Sequence, residues 1–340
     1  MLIQVSQNGT LVPRYMSYSL TVETTDGLTS SWVKLQHLRW DYIFVLPCWL
    51  EAWWRGFGSG AEQHLYAVRQ KDTVIGIAPL LLKDRRAYFI GSADVSDYLD
   101  FVVAPGREQH FFNILLDNLV QRGISCLDLE CLRPESTTVA ELVTIARNRG
   151  YKVSFDLEDV SVELDLPASW EEYLEMLTAQ QRREVRRKLR RLWEAGNVDY
   201  CVVDDSEAAA YLIDIFLKMF RDSREVKAGF MTPQMESFFR FMAKSMAEAG
   251  LLRFGFLQLN ASPVAAVMYF DYQDKVYLYN SGYDPQYSSL SVGLLCKVLC
   301  IKDSIERQRK SFDFMKGTEV YKYRLGGKEI PIYSCQIVLR

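Results

Sequence analysis

Residues 88–93 of the sequence read YFIGSA, and residues 277–282 read YLYNSG. At the same offset, Val74-Ile75-Gly76-Ile77-Ala78 matches Pro263-Val264-Ala265-Ala266-Val267. In both halves of the chain the order is a turn-linked pair of strands, a strand led by tyrosine, and a helix. Matches of this length arise by chance, but several in register do not. We therefore predict that the chain contains two copies of one structural unit.

A third match supports this interpretation and indicates the fold class. Cys126-Leu127-Asp128-Leu129 corresponds to Ser311-Phe312-Asp313-Phe314 at nearly the same offset, and both read as buried strands that carry one aspartate. Strands and helices that alternate around a mixed sheet, with a meander at the start, are typical of an α/β sandwich. We predict two mixed-sheet α/β sandwiches, residues 1–166 and 167–340. We expect the functional site among the residues that each copy has retained and in the cleft between the copies.

The composition favours a globular protein without a metal centre. Apolar residues make up 49% of the 340 residues and charged residues 24%, as in ordinary globular proteins. No apolar stretch reaches the roughly 18 residues of a membrane span, and the start of the sequence lacks a signal-peptide pattern. Seven scattered cysteines and three histidines indicate reduced thiols rather than a zinc site. We expect a cytoplasmic protein with no metal and no membrane span; the composition does not indicate an oligomeric state.

One segment is strongly basic although the net charge is −3. Arg182–Arg191 contains seven Lys or Arg side chains and one Glu, within a predicted helix over Ser169–Ala195. We expect a solvated helix face with glutamate partners at 171, 172 and 175, and with Leu189, Leu192 and Trp193 packed beneath it. The alternative is contact with the phosphates of a small molecule or of RNA.

A loop at the start of a helix is a candidate anion site. The strand ending at Gly282 is followed by a polar segment that opens an apolar helix near Ser291. Free N–H groups and the positive end of the helix dipole would suit a pyrophosphate or an oxyanion there; a capped helix after a turn is the alternative. The candidate anion-binding residues are Ser288, Ser289, Ser291, Val292 and Gly293, and the same loop contributes Tyr283 and Asp284 as candidate substrate contacts.

The segment around residues 312–324 is the richest in polar side chains. The strand places Asp313 at its end, Gly317 turns the chain, and a short helix then presents Tyr321, Lys322 and Arg324. A tyrosine can protonate a leaving group, and Lys or Arg can stabilise a developing negative charge. These four side chains are therefore candidate catalytic residues, the alternative being a terminal helix with a solvated basic face.

Two acids in the first half are candidates for binding an acceptor. Asp97 and Asp100 stand three residues apart on either side of Tyr98, where a loop enters a predicted strand over Tyr98–Val103. They could orient an amine or a hydroxyl, or they could simply cap the junction. The sequence contains none of the nucleophile-elbow, Walker, dinucleotide-binding or zincin motifs, and all its histidines lie in the first half, which argues against a histidine-based triad.

At this point the sequence resembles a known family. It is similar to the GNAT-like acyltransferases linked to bacterial cellulose and exopolysaccharide synthesis, which are themselves similar to the FemABX peptidyltransferases, and the resemblance covers about residues 30–327. The segments that carry it are Cys48–Gly58, Val74–Leu80, Gly91-Ser92, Asp97–Asp100, Pro263–Ala266, Gly282–Pro285, Ser291–Gly293, Phe312–Phe314 and Tyr321–Arg324.

The resemblance implies a tandem GNAT fold and acyl or aminoacyl transfer to an amine or hydroxyl without a metal. The phosphates of an acyl-CoA would lie at Ser288–Gly293, where Gly293 is the one glycine of the family's usual pattern, and Lys322 matches the lysine of the FemABX Tyr-Lys motif. We expect an acyltransferase with a small-molecule or cell-envelope acceptor. The alternatives are aminoacyl transfer from aminoacyl-tRNA, with Arg182–Arg191 on the RNA, and a double GNAT that binds a partner without catalysis.

Overall fold

Strands and helices follow each other twice in the same order in the computed structural model, which describes residues 4–5, 11–12, 18–91 and 94–339. Ser92 and Ala93 of the first repeat motif lie outside the described residues. The elements of the first half are β1 (Gln4–Val5), β2 (Leu11–Val12), β3 (Tyr18–Glu23), α1 (Thr25–Ser30), α2 (Pro47–Phe57), β4 (Glu62–Gln70), β5 (Thr73–Lys83), β6 (Arg86–Phe89), β7 (Val102–Val103), α3 (Glu108–Gln121), β8 (Cys126–Leu132), α4 (Val143–Asn148) and β9 (Lys152–Asp165).

The second half adds further helices before its meander of strands. Its elements are α5 (Trp170–Met176), α6 (Ala179–Glu194), β10 (Val198–Val203), α7 (Ser206–Ser223), α8 (Glu225–Phe230), α9 (Pro233–Glu248), β11 (Leu252–Leu259), β12 (Ser262–Tyr272), β13 (Lys275–Tyr283), α10 (Val292–Glu306), β14 (Ser311–Lys316), α11 (Val320–Arg324) and β15 (Lys328–Val338). Short 3₁₀ turns cover Trp32–Leu35, Ile43–Val45 and Pro285–Leu290, and a π turn covers Thr138–Leu142.

The pairing of the strands confirms the internal repeat. In the first half β3, β4, β5 and β6 form an antiparallel meander, and β6 then pairs in parallel with β8. In the second half β10, β11, β12 and β13 form the same meander, and β13 pairs in parallel with β14. A helix, α3 or α10, connects the two parallel strands in each copy, as a parallel pair requires a crossover.

The last strand of each copy belongs to the sheet of the other. β9, from the first half, pairs with β14, whereas β15, at the end of the chain, pairs with β8. β9 and β15 also pair with each other along their length, so that one sheet runs through both copies. The predicted division after residue 166 coincides with the end of β9, but neither half of the chain completes its own sheet.

Two apolar cores lie on the sheet. The larger contains the side chains of the first copy together with the buried faces of α7 and α9 from the second. The smaller joins α5, α6 and α10 on the other side of the second copy. Gly282 shows how closely the helices approach the strands, since a Cβ there would stand 2.5 Å from the backbone nitrogen of Phe220 in α7.

Two of the predicted elements are wrong in their extent. The helix predicted over Ser169–Ala195 is two helices, because Thr178 breaks it and caps α6: its hydroxyl accepts from the amide of Gln181, whose side chain accepts from the Thr178 amide. Of the strand predicted over Tyr98–Val103, only Val102–Val103 pairs, with β5. The hairpin of β4 and β5 and the start of α10 near Ser291 are as predicted.

The segment before β7 fills the space between β6 and β8. The amide of Leu99 donates to the carbonyl of Cys131 in β8 at 2.9 Å, and its side chain lies against Gly91, just beyond β6, so closely that a Cβ on Gly91 would be 2.7 Å from Leu99 Cδ1. In the first copy, the gap beyond the paired part of β6 and β8 is therefore filled by residues of the protein itself.

Candidate active site between β13 and β14

The corresponding strands of the second copy separate around an open cavity. β13 and β14 pair only from Lys275↔Ser311 to Tyr277↔Asp313. Beyond this point, residues 278–281 of β13 and residues 314–316 of β14 line opposite walls of a cavity of about 730 Å³. Backbone groups that a parallel partner would otherwise occupy become available for a ligand inserted between the strands.

A β-bulge lies at the point of separation. Met268 pairs with Asn280 and Phe270 with Tyr277, so that Leu278 and Tyr279 together face the single residue between Met268 and Phe270 on β12. A bulge leaves backbone groups unpaired and redirects the strand. Leu278 and Tyr279 line the cavity from β13, where backbone N–H groups without a partner on β14 could donate hydrogen bonds to a carbonyl oxygen.

The N-terminus of α10 forms one end of the cavity. Ser291 is its N-cap in the left-handed conformation, with φ 58°, and its carbonyl accepts from the amides of Leu294 and Leu295. The amides of Val292 and Gly293 in the first turn have no partner within the helix. A Cβ on Gly293 would lie 2.8 Å from the ring of Tyr283, which explains the glycine. Ser288, Ser291, Val292, Gly293 and Tyr283 all line the cavity.

Helix α6 supports this end of the cavity with positive charge. Lys188 Nζ donates to Ser291 Oγ at 2.8 Å, and Arg191 donates to the carbonyl of Ser289 at 3.4 Å. The expected glutamate partners of the basic run are wrong: Arg187 and Lys188 pair with Glu184, and Arg190 with Glu194. Trp193 is also not packed beneath the helix, since it is 52% exposed.

Three further cations, Arg224, Lys227 and Lys297, line the cavity, and they were missed in the sequence. Lys227 of α8 donates to the carbonyl of Ser281, and Lys297 of α10 donates to the carbonyl of Gly293 at 3.0 Å. Burial, with Lys297 and Arg224 nearby, lowers the pKa of Lys227 to about 7. Burial also lowers the pKa of Lys297 to about 8. Two lysines with lowered pKa values in one cavity are typical of a functional site.

Lys322 lines the cavity, but its ammonium group already has hydrogen-bond acceptors within the protein. Its Nζ donates to the carbonyls of Met315, Lys316 and Gly317 at 3.0, 2.6 and 3.1 Å and lies 2.8 Å from Glu319 Oε2. The side chain is 1% exposed. Met315 and Gly317 have positive φ values of 67° and 104°, so this ammonium holds a turn that would otherwise be unfavourable.

Asp97 reaches the same cavity from the first copy. Its Oδ2 accepts from the amide of Lys316 at 2.9 Å, and burial raises the pKa of its carboxyl. The segment that fills the first copy thereby carries a carboxylate into the second. Tyr279 fixes this segment from the other side, since its hydroxyl donates to the carbonyl of Val95 at 3.0 Å.

Tyr98 and Asp313 lie behind the cavity rather than in its lining. The Tyr98 hydroxyl donates to Asp313 Oδ1 at 2.8 Å, and the amide of Met315 donates to the same oxygen. Burial raises the pKa of Asp313, whose Oδ2 has no hydrogen-bond partner among the described residues and lies 4.0 Å from Arg133. Both residues are buried and join the two copies.

Of the other predicted site residues, Asp100, Asp284 and Arg324 lie outside the cavity, whereas Tyr321 lines it. Asp100 is buried and accepts from the amides and hydroxyls of Thr137 and Thr138 at 2.6 to 3.1 Å, which stabilises the start of the π turn. Asp284 caps the 3₁₀ turn through the amide of Gln286. Arg324 faces a separate groove on α6. Tyr321 does line the cavity, with its ring 5.0 Å from Lys297 Nζ.

Comparisons with known proteins agree with this geometry. Residues 179–323, which include the whole cavity wall of the second copy, match the model of the acetyltransferase (GNAT) domain. The fold of FemX is similar with a TM-score of 0.62 at 12% identity, over 93% of this chain and 96% of that one. This chain has a tandem GNAT fold. The GNAT-like resemblance is thereby confirmed, while the link to cellulose or exopolysaccharide stays a prediction.

Two other solved structures have the same fold over most of their length. A conserved protein of unknown function from Bacteroides thetaiotaomicron gives a TM-score of 0.60 at 11% identity, over 95% of this tandem GNAT chain and 100% of that one. L-PGS from Bacillus licheniformis gives 0.53 at 10% identity, over 86% and 90%. No curated protein sequence matches. Among the described residues, no helix is long and apolar enough to cross a membrane, and no cluster of metal-ligating side chains occurs.

Proposed function

We propose that this tandem GNAT protein transfers an acyl group from a thioester donor, an acyl-CoA, to an amine or hydroxyl. The observation that carries the proposal is the separation of β13 from β14 around a cavity that ends at the N-terminus of α10. Such a cleft can hold an extended chain between the strands and phosphates at the helix. The GNAT domain match over the same residues supports this chemistry.

The donor is proposed to bind along the second copy alone. Its phosphates would lie at Ser288–Gly293, where the free amides of α10 and the Lys188 ammonium supply positive charge. Its carbonyl would lie at the bulge of β13, whose unpaired backbone groups can stabilise the oxyanion of the tetrahedral intermediate. The first copy cannot bind a donor in this way, because Leu99 occupies the space.

Asp97 is proposed to act as the general base. The acceptor attacks the thioester carbonyl and gives its proton to Asp97; the intermediate then collapses, breaks the carbon–sulfur bond and releases the thiolate, which takes a proton from Tyr321. A carboxyl whose pKa burial raises is a stronger base than a solvated one. Tyr321 keeps its proton at neutral pH, since burial raises its pKa.

Lys322 is proposed to position the site rather than to touch the reacting atoms. All three of its N–H donors are used by carbonyls of residues 315–317, and the middle residue of that turn donates its amide to Asp97. Lys227, Lys297 and Arg224 are left to attract an anionic group, which favours an acceptor or donor that carries phosphate or carboxylate.

The proposal is tested by following thiol release from acetyl-CoA and longer acyl-CoAs in the presence of amine and hydroxyl acceptors, including small cell-envelope precursors. Turnover is expected for the wild-type protein and a loss of at least a hundredfold in kcat for Asp97→Asn, consistent with the usual contribution of a general base. The carboxamide oxygen of this variant can still accept from the Lys316 amide, so the fold should remain. Absence of thiol release with every donor and acceptor would contradict the proposal and favour a non-catalytic binding role.

Aminoacyl transfer from tRNA is a second candidate function. The observation that favours it is the exposed arginine face of α6, which adjoins the Ser288–Ser291 loop through Lys188 and Arg191. Several phosphate contacts would make binding fall steeply with salt. Transfer of a radiolabelled aminoacyl group from charged tRNA, with no thiol release from any acyl-CoA, would replace the first proposal by this one.

A further inference from the structure

Lys227 of α8 lies against the wall of the cavity that β13 forms. Its side chain lines the cavity, and its Nζ donates to the carbonyl of Ser281. Ser281 stands two residues beyond the bulge at Leu278 and Tyr279, where the carbonyl of the acyl donor is proposed to lie. Two residues of an extended strand span about 7 Å, so rotation of the long lysine side chain can bring its amine to that carbonyl.

The surroundings of Lys227 favour the uncharged form of its amine. Arg224 and Lys297 line the same cavity, and within the described part of the chain no carboxylate forms an ion pair with Lys227. Burial, together with the charges of Lys297 and Arg224, lowers the pKa of Lys227 to about 7. A neutral lysine amine is a nucleophile towards acyl carbonyls. The cavity therefore contains a nucleophile of the protein itself beside the proposed position of the thioester.

The other lysines that line the cavity lack this combination of features. Lys316 and Lys322 each pair with a glutamate, at 2.9 and 2.8 Å. Lys297 is only 8% exposed, and its Nζ donates to the carbonyl of Gly293 at 3.0 Å. It thus lies beside the proposed position of the donor's phosphates, whereas Lys227 lies beside that of the donor's carbonyl.

We propose that Lys227 is acylated by the protein's own donor when no acceptor is bound, and that this modification closes the site. The inference rests on the proposed function, because it uses the same donor and the same position of its carbonyl. The neutral amine attacks the thioester carbonyl carbon and forms a carbon–nitrogen bond. The carbon–sulfur bond then breaks, and the proton that the nitrogen loses goes to the leaving thiolate. The products are an Nζ-acyl-lysine and free coenzyme A.

Acylation of Lys227 changes the cavity in two ways. It removes a positive charge that attracts an anionic donor. It also places an acyl amide beside β13, in the space proposed for the acyl end of the donor. Because an amide is far less reactive than a thioester, the acyl group stays on the lysine. Both changes weaken the binding of a second donor molecule.

The test incubates the full-length wild-type protein with acetyl-CoA in the absence of an acceptor and follows its intact mass, after which the modified peptide is mapped. We expect the mass gain of one acetyl group, located at Lys227. The Lys227→Arg variant should show no such gain, since a guanidinium stays protonated. The matched control, Lys218→Arg, changes an exposed lysine of α7 and should be acetylated at Lys227 like the wild type.

The position of the acetyl group decides between directed and unspecific chemistry. Acetylation of Lys218 to the same extent as Lys227 would mean that the thioester reacts with any lysine, and it would overturn the proposal. Acetylation of Lys297 in place of Lys227 would overturn it as well.

Closure of the site is measured by calorimetric titration with coenzyme A, which has no acyl group to transfer. The acetylated wild-type protein should bind it about tenfold more weakly than the unmodified protein, because one cation of the cavity is lost. The Lys227→Arg variant should bind it equally well before and after incubation with acetyl-CoA. Equal affinities of the acetylated and the unmodified wild-type protein would overturn the proposed closure.

The same samples distinguish failure of this proposal from failure of the proposed function. Thiol release in the presence of an acceptor, with Lys227 unmodified in its absence, overturns self-acylation alone. Acetylation of Lys227 without transfer to any added acceptor overturns the acyltransferase and leaves self-acylation as the reaction of this protein. Neither acetylation nor thiol release would overturn both.

Discussion

The hydroxyl of Tyr98 donates to Asp313 Oδ1 at 2.8 Å, and with this hydrogen bond the first copy closes the back of the cavity in the second copy. Tyr98 belongs to the segment that fills the first copy, and Asp313 belongs to the last residue pair before β13 and β14 separate. Asp97, the residue before Tyr98, lines the cavity. The copy whose own gap is filled by residues 97–101 thus contributes Asp97 to the cavity of the other copy.

Replacing Tyr98 by Phe should therefore destabilise the fold. The buried Asp313 carboxyl would keep only the Met315 amide as a hydrogen-bond donor, and leaving a buried polar group short of partners costs about 1–3 kcal/mol. Urea unfolding followed by fluorescence measures the change. Tyr211→Phe, at a residue that is 69% exposed, is the control and should leave the free energy of unfolding unchanged. Equal values for the two variants would mean that this contact does not join the copies.

Asp97 and Asp100 are expected to respond to substitution in opposite ways, although both were candidate acceptor ligands. Asp97→Asn should lower kcat and leave the melting temperature nearly unchanged. Asp100→Ala should lower the melting temperature, because the donors of Thr137 and Thr138 lose a buried acceptor at a cost of about 1–3 kcal/mol. Thermal melting and initial rates on both variants decide this. A stability loss in Asp97→Asn larger than in Asp100→Ala would reverse the assignment.

Lys322→Met should lower both stability and activity. A purely catalytic role, which the sequence predicts for Lys322, would lower activity and leave the melting temperature nearly unchanged. The structure predicts a loss of about 1–3 kcal/mol, because removal of this buried cation leaves the carbonyl acceptors of residues 315–317 without their donor. Chemical denaturation measures the loss, with Lys328→Met, at an exposed lysine, as control. An inactive Lys322→Met protein of wild-type stability would restore Lys322 as a catalytic residue.

Binding of an anionic donor should weaken as the pH rises. Burial lowers the pKa of Lys227 to about 7 and that of Lys297 to about 8, so both lysines are mostly charged at a pH below these values and mostly neutral above them. The dissociation constant of acetyl-CoA should therefore increase across this interval, most steeply between the two pKa values. Titrations at several pH values test this. Lys227→Met should remove the lower part of the dependence, and a constant affinity in the wild-type protein would exclude both lysines from binding.

Separating the halves after residue 166 should abolish folding of each. Residues 1–166 would lack β15 beside β8, and residues 167–340 would lack β9 beside β14, which leaves unpaired strand edges that favour aggregation. Expression of each half, followed by circular dichroism, tests this, and co-expression of both should restore a folded complex. A monomeric, folded fragment of residues 1–166 would show that strand exchange is not required.

The sequence predicted the helices and strands that are determined by residues close to them in the chain. The hairpin of β4 and β5 and the start of α10 near Ser291 follow from turn residues and apolar spacing. The break before α6 was missed because Thr178 inside a basic helical pattern resembles an ordinary helix residue. The exchange of β9 and β15 was missed because no local pattern states which distant strand a given strand will pair with.

The candidate site was predictable to the extent that its residues stand next to one another in the sequence. The loop Ser288–Gly293 and the Tyr321–Lys322 pair were found in this way, and both contribute to the cavity lining. Lys297 lies on an apolar helix and Lys227 on a short one, and only the tertiary fold brings these two together. The sequence also did not show that the hydrogen-bond donors of Lys322 are already used, since this depends on the backbone of the turn at residues 315–317.

The proposed position of the acyl donor can be tested by a calorimetric titration of acetyl-CoA into the wild-type protein, Ser288→Asp and Ser288→Asn. Ser288 lies at the exposed rim of the cavity beside α10, and the two variants have nearly the same shape but differ by one negative charge. We expect micromolar binding to the wild-type protein and to Ser288→Asn, and an affinity at least roughly tenfold weaker for Ser288→Asp, since like charges repel. Absence of binding to all three, or equal binding to both variants, would contradict a phosphate-bearing acyl donor at the N-terminus of α10.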